Sequence, residues 1–208
     1  MASCCLVKAV CSDVKHNFIL HYILAAVVVP ASTMFFSVYE LNSQQAAQPL
    51  EMVISLIGII LLTPIFMPEQ NDAVRDVIRS KKMPYLFICF IRLCSAVLLL
   101  MLLIGGFVLY MKHCDSKVDI HHFTGCLASA FALGAVGFFA AGVSNNVIIG
   151  YMASLFYYII NFSAKDELGN FYLFSMMSGS FEEKKWLFIL SLTFIAATFA
   201  YLKFIKKQ

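Results

Sequence analysis

Long apolar runs separated by short polar connections dominate this chain, and the runs lack the two-residue alternation of half-buried strands. Six of them lie near residues 18–38, 50–67, 85–111, 120–142, 146–162 and 186–205. A helix needs about 20 apolar residues to cross a hydrocarbon core, and the runs approach that length, the second and fifth being shortest. Pro30 falls inside the first run and Pro64 near the end of the second, so kinks are expected at both. The fourth run carries Gly125, Ala128, Ser129, Ala132, Gly134, Gly137 and Gly142. Small residues let helix backbones approach closely, so this run is expected at the centre of the bundle. The pattern predicts an all-α polytopic membrane protein, a single transmembrane domain over residues 1–208 with six transmembrane helices.

Composition narrows the class further. Of 208 residues, 61% are hydrophobic and 13% charged, with a mean hydropathy of +0.84. Soluble domains carry about 25% charged residues, so a soluble globular domain is excluded. A net charge of +3 on so apolar a chain provides no basic face for nucleic acid. The seven cysteines are scattered and give no readable disulfide framework.

The placement of the basic residues sets an orientation. With six spans, one side holds Lys8, Lys15, Arg75, Arg79, Lys81, Lys82, Lys203, Lys206 and Lys207, and the other Lys112, Lys117, Lys165, Lys184 and Lys185. Nine against five places both termini in the cytoplasm of a chain embedded in the cell membrane.

Three segments outside the spans are informative. Residues 1–16 repeat Leu6, Val7, Val10 and Val14 at helical spacing, which reads as an interfacial helix leading into the first span. Residues 68–84 read PEQNDAVRDVIRSKKMP, in which Ala73, Val74, Val77 and Ile78 form an apolar stripe opposite Asp72, Arg75, Asp76 and Arg79. Asn71 is a plausible N-cap, and Lys81 and Lys82 close a short amphipathic helix over residues 71–82. Such a helix lies on the membrane surface or docks into a groove of a soluble partner, unless the segment is an ordinary solvated loop. In the outer connection 163–185, the ten-residue run LGNFYLFSMM is too short to span, and its length suggests a re-entrant or interfacial helix.

Acidic, basic and histidine side chains are scarce inside the runs: besides His121, His122 and Lys203 at their margins, they are His21, Glu51 and Arg92, all toward the ends. Arg92 is expected to snorkel to the cytoplasmic interface, with anchoring of the neighbouring connection as the alternative. The outer stretch HCDSKVDIHH offers His113, Cys114, Asp115, Asp119, His121 and His122, but in no recognised metal-site spacing, so no metal is assigned. Neither HExxH nor GxSxG occurs, and no catalytic residue is assigned.

Taken together, an interfacial helix, six spans, an amphipathic cytoplasmic segment after the second span and a short outer segment before the sixth resemble the type-2 family of ABC exporter permeases. The likeness covers essentially the whole chain. Glu69, the turn 72–79, Pro84 and Arg92 resemble the family's local pattern around its coupling helix, although the common Gly-Thr after the acidic residue is missing and Lys81-Lys82 shifts the proline. The resemblance implies that residues 1–16 are an elbow helix, 71–82 a coupling helix and 163–185 an outer re-entrant segment. It places the contact with ABC ATPase subunits on Asp72, Arg75, Asp76, Arg79 and Lys81. The chain has no GxxxxGK[ST] segment, so no cofactor is expected on it, and ATP and Mg belong to the partner ATPase. A second permease chain, identical or homologous, completes the pathway. Spans so bare of charge suit an amphipathic peptide or another greasy cargo, resembling the permeases that export phenol-soluble modulins. The alternative is an integral membrane enzyme or a metal-binding membrane protein.

Overall fold

The computed structural model describes residues 18–70, 85–163 and 167–205, and among them all regular structure is helical. Each apolar run forms a helix. The first is α1, Ile19–Phe35. The second begins earlier than its hydropathy suggests, as α2, Ser43–Met52, and continues through a 3-10 turn, Ile54–Leu56, into α3, Ile57–Leu62, and a 3-10 stretch, Thr63–Gln70. There follow α4, Tyr85–His113, α5, Ile120–Ser144, α6, Val147–Ser163, and α7, Glu183–Ile205.

Four helical stretches are long and apolar enough to cross a membrane: Ser43–Pro68, Leu86–His113, Ile120–Ser144 and Glu183–Phe204. The helices α1 and α6 have 17 residues each, about 26 Å at 1.5 Å per residue, a little short of a hydrocarbon core of about 30 Å. The early start of α2 has a local cause. Asn42 and Gln45 form a capping box, the Asn42 N–H donating to Gln45 Oε1 at 3.2 Å. Gln44, Gln45 and Gln48 face outward while Ala46, Ala47, Leu50 and Glu51 are buried, so this turn is amphipathic and averages out in a hydropathy window.

Proline shapes the second stretch more than the first. Pro30 is accommodated within α1, which continues to Phe35. From Thr63 the second stretch tightens into eight residues of 3-10 helix containing Pro68, longer than such helices usually run.

The expectation that the fourth run packs centrally holds. Buried residues make up 67% of the most apolar 18-residue stretch of α5 and 72% of that of Ser43–Pro68, against 33% for α4 and 22% for α7. Glycine makes the central crossing possible. A Cβ on Gly58 of α3 would lie 1.9 Å from the Ala130 carbonyl oxygen, and one on Gly134 of α5 would lie 2.6 Å from the Gly58 oxygen. The two backbones therefore touch, which only small residues permit. The outward faces of α1, α4, α6 and α7 present large apolar side chains such as Leu20, Leu102, Ile148 and Phe188, the surface a bilayer covers.

The connections gather at two ends. At one end the loops 36–42 and 114–119 zip together: Glu40 N–H donates to the Cys114 carbonyl at 3.1 Å, Lys117 N–H to that of Leu41 at 2.9 Å, and the Ser116 hydroxyl to that of Val38 at 2.7 Å. The segment 167–182 lies at this same end, Gly179 sitting beside Gln44. At the opposite end Gln70 reaches the Asn145 carbonyl at 3.5 Å, and Asn145 turns the chain between α5 and α6 with φ of 53°.

Candidate functional site

The segment 167–182 departs from the expected short helix. It consists of two isolated 3-10 turns, Gly169–Phe171 and Ser175–Ser178, joined by extended backbone at Tyr172. Gly169 has φ of +48°, a left-handed conformation that suits glycine and breaks a helix at its start. Leu173, Phe174, Ser175 and Met176 are nonetheless buried among the spans. Backbone buried this way, without a helix of its own, leaves amides and carbonyls that water does not reach, and each must find another partner.

Side chains from four helices supply those partners. The Glu51 carboxylate, in the last turn of α2, accepts the N–H groups of Met176 and Met177, each at 3.1 Å. Asn161 of α6 accepts the Leu173 N–H at 2.7 Å through Oδ1, while its Nδ2 donates to the Tyr157 carbonyl at 2.9 Å. The Tyr157 hydroxyl donates to the Phe171 carbonyl at 2.8 Å, and beside the segment the Tyr158 hydroxyl donates to the Met52 carbonyl at the end of α2 at 2.9 Å. Lys184, in the first turn of α7, donates to the Leu173 carbonyl.

Glu51 and Lys184 also form an ion pair, Nζ to Oε1 at 2.5 Å, with 0% and 6% of their side chains exposed. The lysine donates further to Ser129 Oγ of α5 at 2.7 Å. An ammonium has three protons, and three acceptors (Glu51, Ser129 and the Leu173 carbonyl) take them. Lys184 thereby ties Glu51, Ser129 and the Leu173 carbonyl together, and the Ser129 hydroxyl itself donates to the Leu173 carbonyl at 3.3 Å. Cys126, below the pair, donates to the Leu50 carbonyl at 3.2 Å. The arrangement holds one irregular segment at one end of a helical bundle by exchanging its missing backbone bonds for charge-assisted ones.

A second buried cation marks the other end. Arg92 of α4 is 4% exposed, donates from Nη1 to the Ile65 carbonyl at 3.2 Å, and lies 5.6 Å from the centre of the Phe18 ring. This corrects the expectation of snorkelling and supports the alternative, anchoring. The reason lies in Pro68: in 3-10 helix the N–H of residue 68 would bond the carbonyl of residue 65, and proline has no N–H to give. Arg92 takes up that carbonyl.

The remaining expected residues separate into two groups. Asp72, Arg75, Asp76, Arg79 and Lys81, like the expected elbow 1–16 and the whole of the expected coupling helix 71–82, lie outside the described residues. In the His/Cys/Asp stretch 113–122, His122 and Cys114 are buried, His122 accepting the Asp119 N–H at 3.2 Å and lying 3.1 Å from Ser43 Oγ, while His113, Asp115, Asp119 and His121 are exposed. Among the described residues no three His, Cys, Asp or Glu side chains come together as a metal site.

Sequence reasoning placed Lys184 among loop bases and Glu51 at a span end, and did not join them. Glu51 is the only carboxylate in its apolar run, which is the signal that a buried cation must face it. Comparison of the chain with family models, curated proteins and solved structures finds no match in any of the three. What the fold defines is an all-helical chain with four helices suited to a bilayer, as a membrane-embedded protein requires.

Proposed function

We propose that the chain is the transmembrane permease subunit of an ATP-driven ABC exporter of the type-2 family, moving amphipathic peptides or other greasy cargo out of the cell. A separate ATPase subunit supplies the energy, and two permease chains, identical or homologous, line the pathway. The observation that carries this reading is the segment 167–182: a short, non-helical element folded into the outer ends of the helices immediately before the last one. In the proposed assembly this is the outer re-entrant element, and closure of the ATPase dimer moves the spans as rigid bodies against it.

The Arg92 contact supports the same reading. It ties α4 to the end of the stretch that leads into residues 71–82, so a push on that connection is transmitted to two spans at once. Pairing of Lys184 with Glu51 removes one base from the outer tally, leaving nine against four and strengthening the bias for cytoplasmic termini in a plasma membrane.

Co-expression with an ABC ATPase subunit tests the proposal. A stable complex whose ATP hydrolysis requires both chains is expected, weakened by Asp76→Lys and by Arg79→Glu. A complex indifferent to both substitutions contradicts the docking surface, and metal retained through purification favours the metal-protein reading.

A further inference from the structure

A cleft of about 670 Å³ opens between the outer halves of α5 and α7. Its floor and walls are apolar, from Leu127 and Ala128 on one helix and Phe188 and Ile189 on the other. Phe181 closes the top, its ring packed against His121 and His122 with centroids 5.9 and 5.5 Å apart. From His121 to Ala128 the cleft descends about 10 Å along α5, at 1.5 Å per residue. That depth falls within one leaflet of a hydrocarbon core about 30 Å thick, and the volume is in the range of small-molecule sites, roughly 300–1,000 Å³.

Two observations set the occupant. Trp186, the chain's only tryptophan, is half exposed beside Lys185, and tryptophan is enriched at the membrane–water interface, so the cleft mouth lies at headgroup level. Among the described residues lining that mouth, Glu182 and Lys185 are both exposed, one carboxylate and one ammonium, while the neighbouring Lys184 is already neutralised by Glu51. A mouth with one charge of each sign is complementary to a headgroup with one charge of each sign.

We propose that this cleft binds a single zwitterionic phospholipid: its phosphate on Lys185, its ammonium on Glu182, and the upper part of one acyl chain along Leu127, Phe188 and Ile189. Exposed Phe188, Ile189 and Leu192 around the cleft place it on a lipid-facing surface, so the ligand enters sideways from the outer leaflet. The bound lipid covers the one side of Lys184 that protein leaves open and so shields the ion pair from water.

Native mass spectrometry of the full-length chain in detergent, titrated separately with phosphatidylethanolamine and phosphatidylglycerol of identical acyl chains, tests the site. One phosphatidylethanolamine per chain is expected, retained several-fold better than phosphatidylglycerol. Glu182→Lys, which leaves two cations at the mouth, should reverse that preference. Ile189→Trp, at an exposed position, should fill the cleft and lower retention of both lipids while the lipid-free melting temperature stays unchanged. Equal retention of the two lipids by the unaltered chain, retention unaffected by Ile189→Trp, or a cleft occupied by a second copy of the chain would overturn the proposal.

Discussion

The two ends of the bundle solve one problem differently. At the end that holds residues 167–182, a segment with no regular helix is buried, and a carboxylate, an ammonium, an amide and a phenol bond its backbone one group at a time. At the opposite end, a helix persists but in 3-10 form, and one guanidinium satisfies the carbonyl that Pro68 leaves open. In both places a buried charge appears where the backbone pattern fails. Charge that looks costly inside a membrane is stabilising when the alternative is an unpaired peptide group. The difference is in degree: the lock around Glu51 and Lys184 spans four helices, whereas the contact of Arg92 with Ile65 joins neighbours along the chain.

That difference orders the expected effects of substitution. Lys184→Met leaves Glu51 buried without its counter-ion and should lower stability by about 3–5 kcal/mol, read from melting of the purified chain. The double variant Glu51→Gln, Lys184→Met should melt above the single Lys184→Met, because no orphaned charge remains. A double variant no better than the single one would mean that the two residues act independently.

Arg92→Met removes the charged donor to the Ile65 carbonyl and should cost about 1.5–3 kcal/mol for that bond, against the larger loss expected at Lys184. If Arg92→Met is the worse of the two, the ranking of the two ends is reversed. Gly58→Ala sits between the ends, where a Cβ would strike the Ala130 carbonyl. Overpacking of this kind costs roughly 1–3 kcal/mol and outweighs the gain in helix propensity. Gly106→Ala, with nothing within 4 Å of its Cβ, serves as the comparison. There only the propensity gain of up to about 1 kcal/mol applies, so that variant should melt at or slightly above the unaltered chain.

Features of the sequence that act locally were legible. Apolar runs gave the helices, and the glycines and alanines of the fourth run gave its central place, since both depend on side chains a few residues apart. The start of α2 was hidden because Gln44, Gln45 and Gln48 dilute a turn whose other face is buried. The shape of residues 167–182 was hidden for a different reason. LGNFYLFSMM has the composition of a helix, and what holds it otherwise is Glu51, whose partner Lys184 lies 133 residues away. Arg92 presents the same difficulty: its snorkelling reading was reasonable from one helix alone, and the vacancy created by Pro68 is visible only when the helices are packed.

Hydrogen exchange followed by mass spectrometry, on the full chain in lipid nanodiscs, addresses the lock around Glu51 and Lys184 most directly. The amides of Leu173, Met176 and Met177 should be strongly protected in the unaltered chain. In the double variant Glu51→Gln, Lys184→Met, peptides covering residues 171–178 should lose that protection while α5 keeps its own. Equal protection of residues 171–178 in both proteins would show that the buried pair does not hold the segment in place.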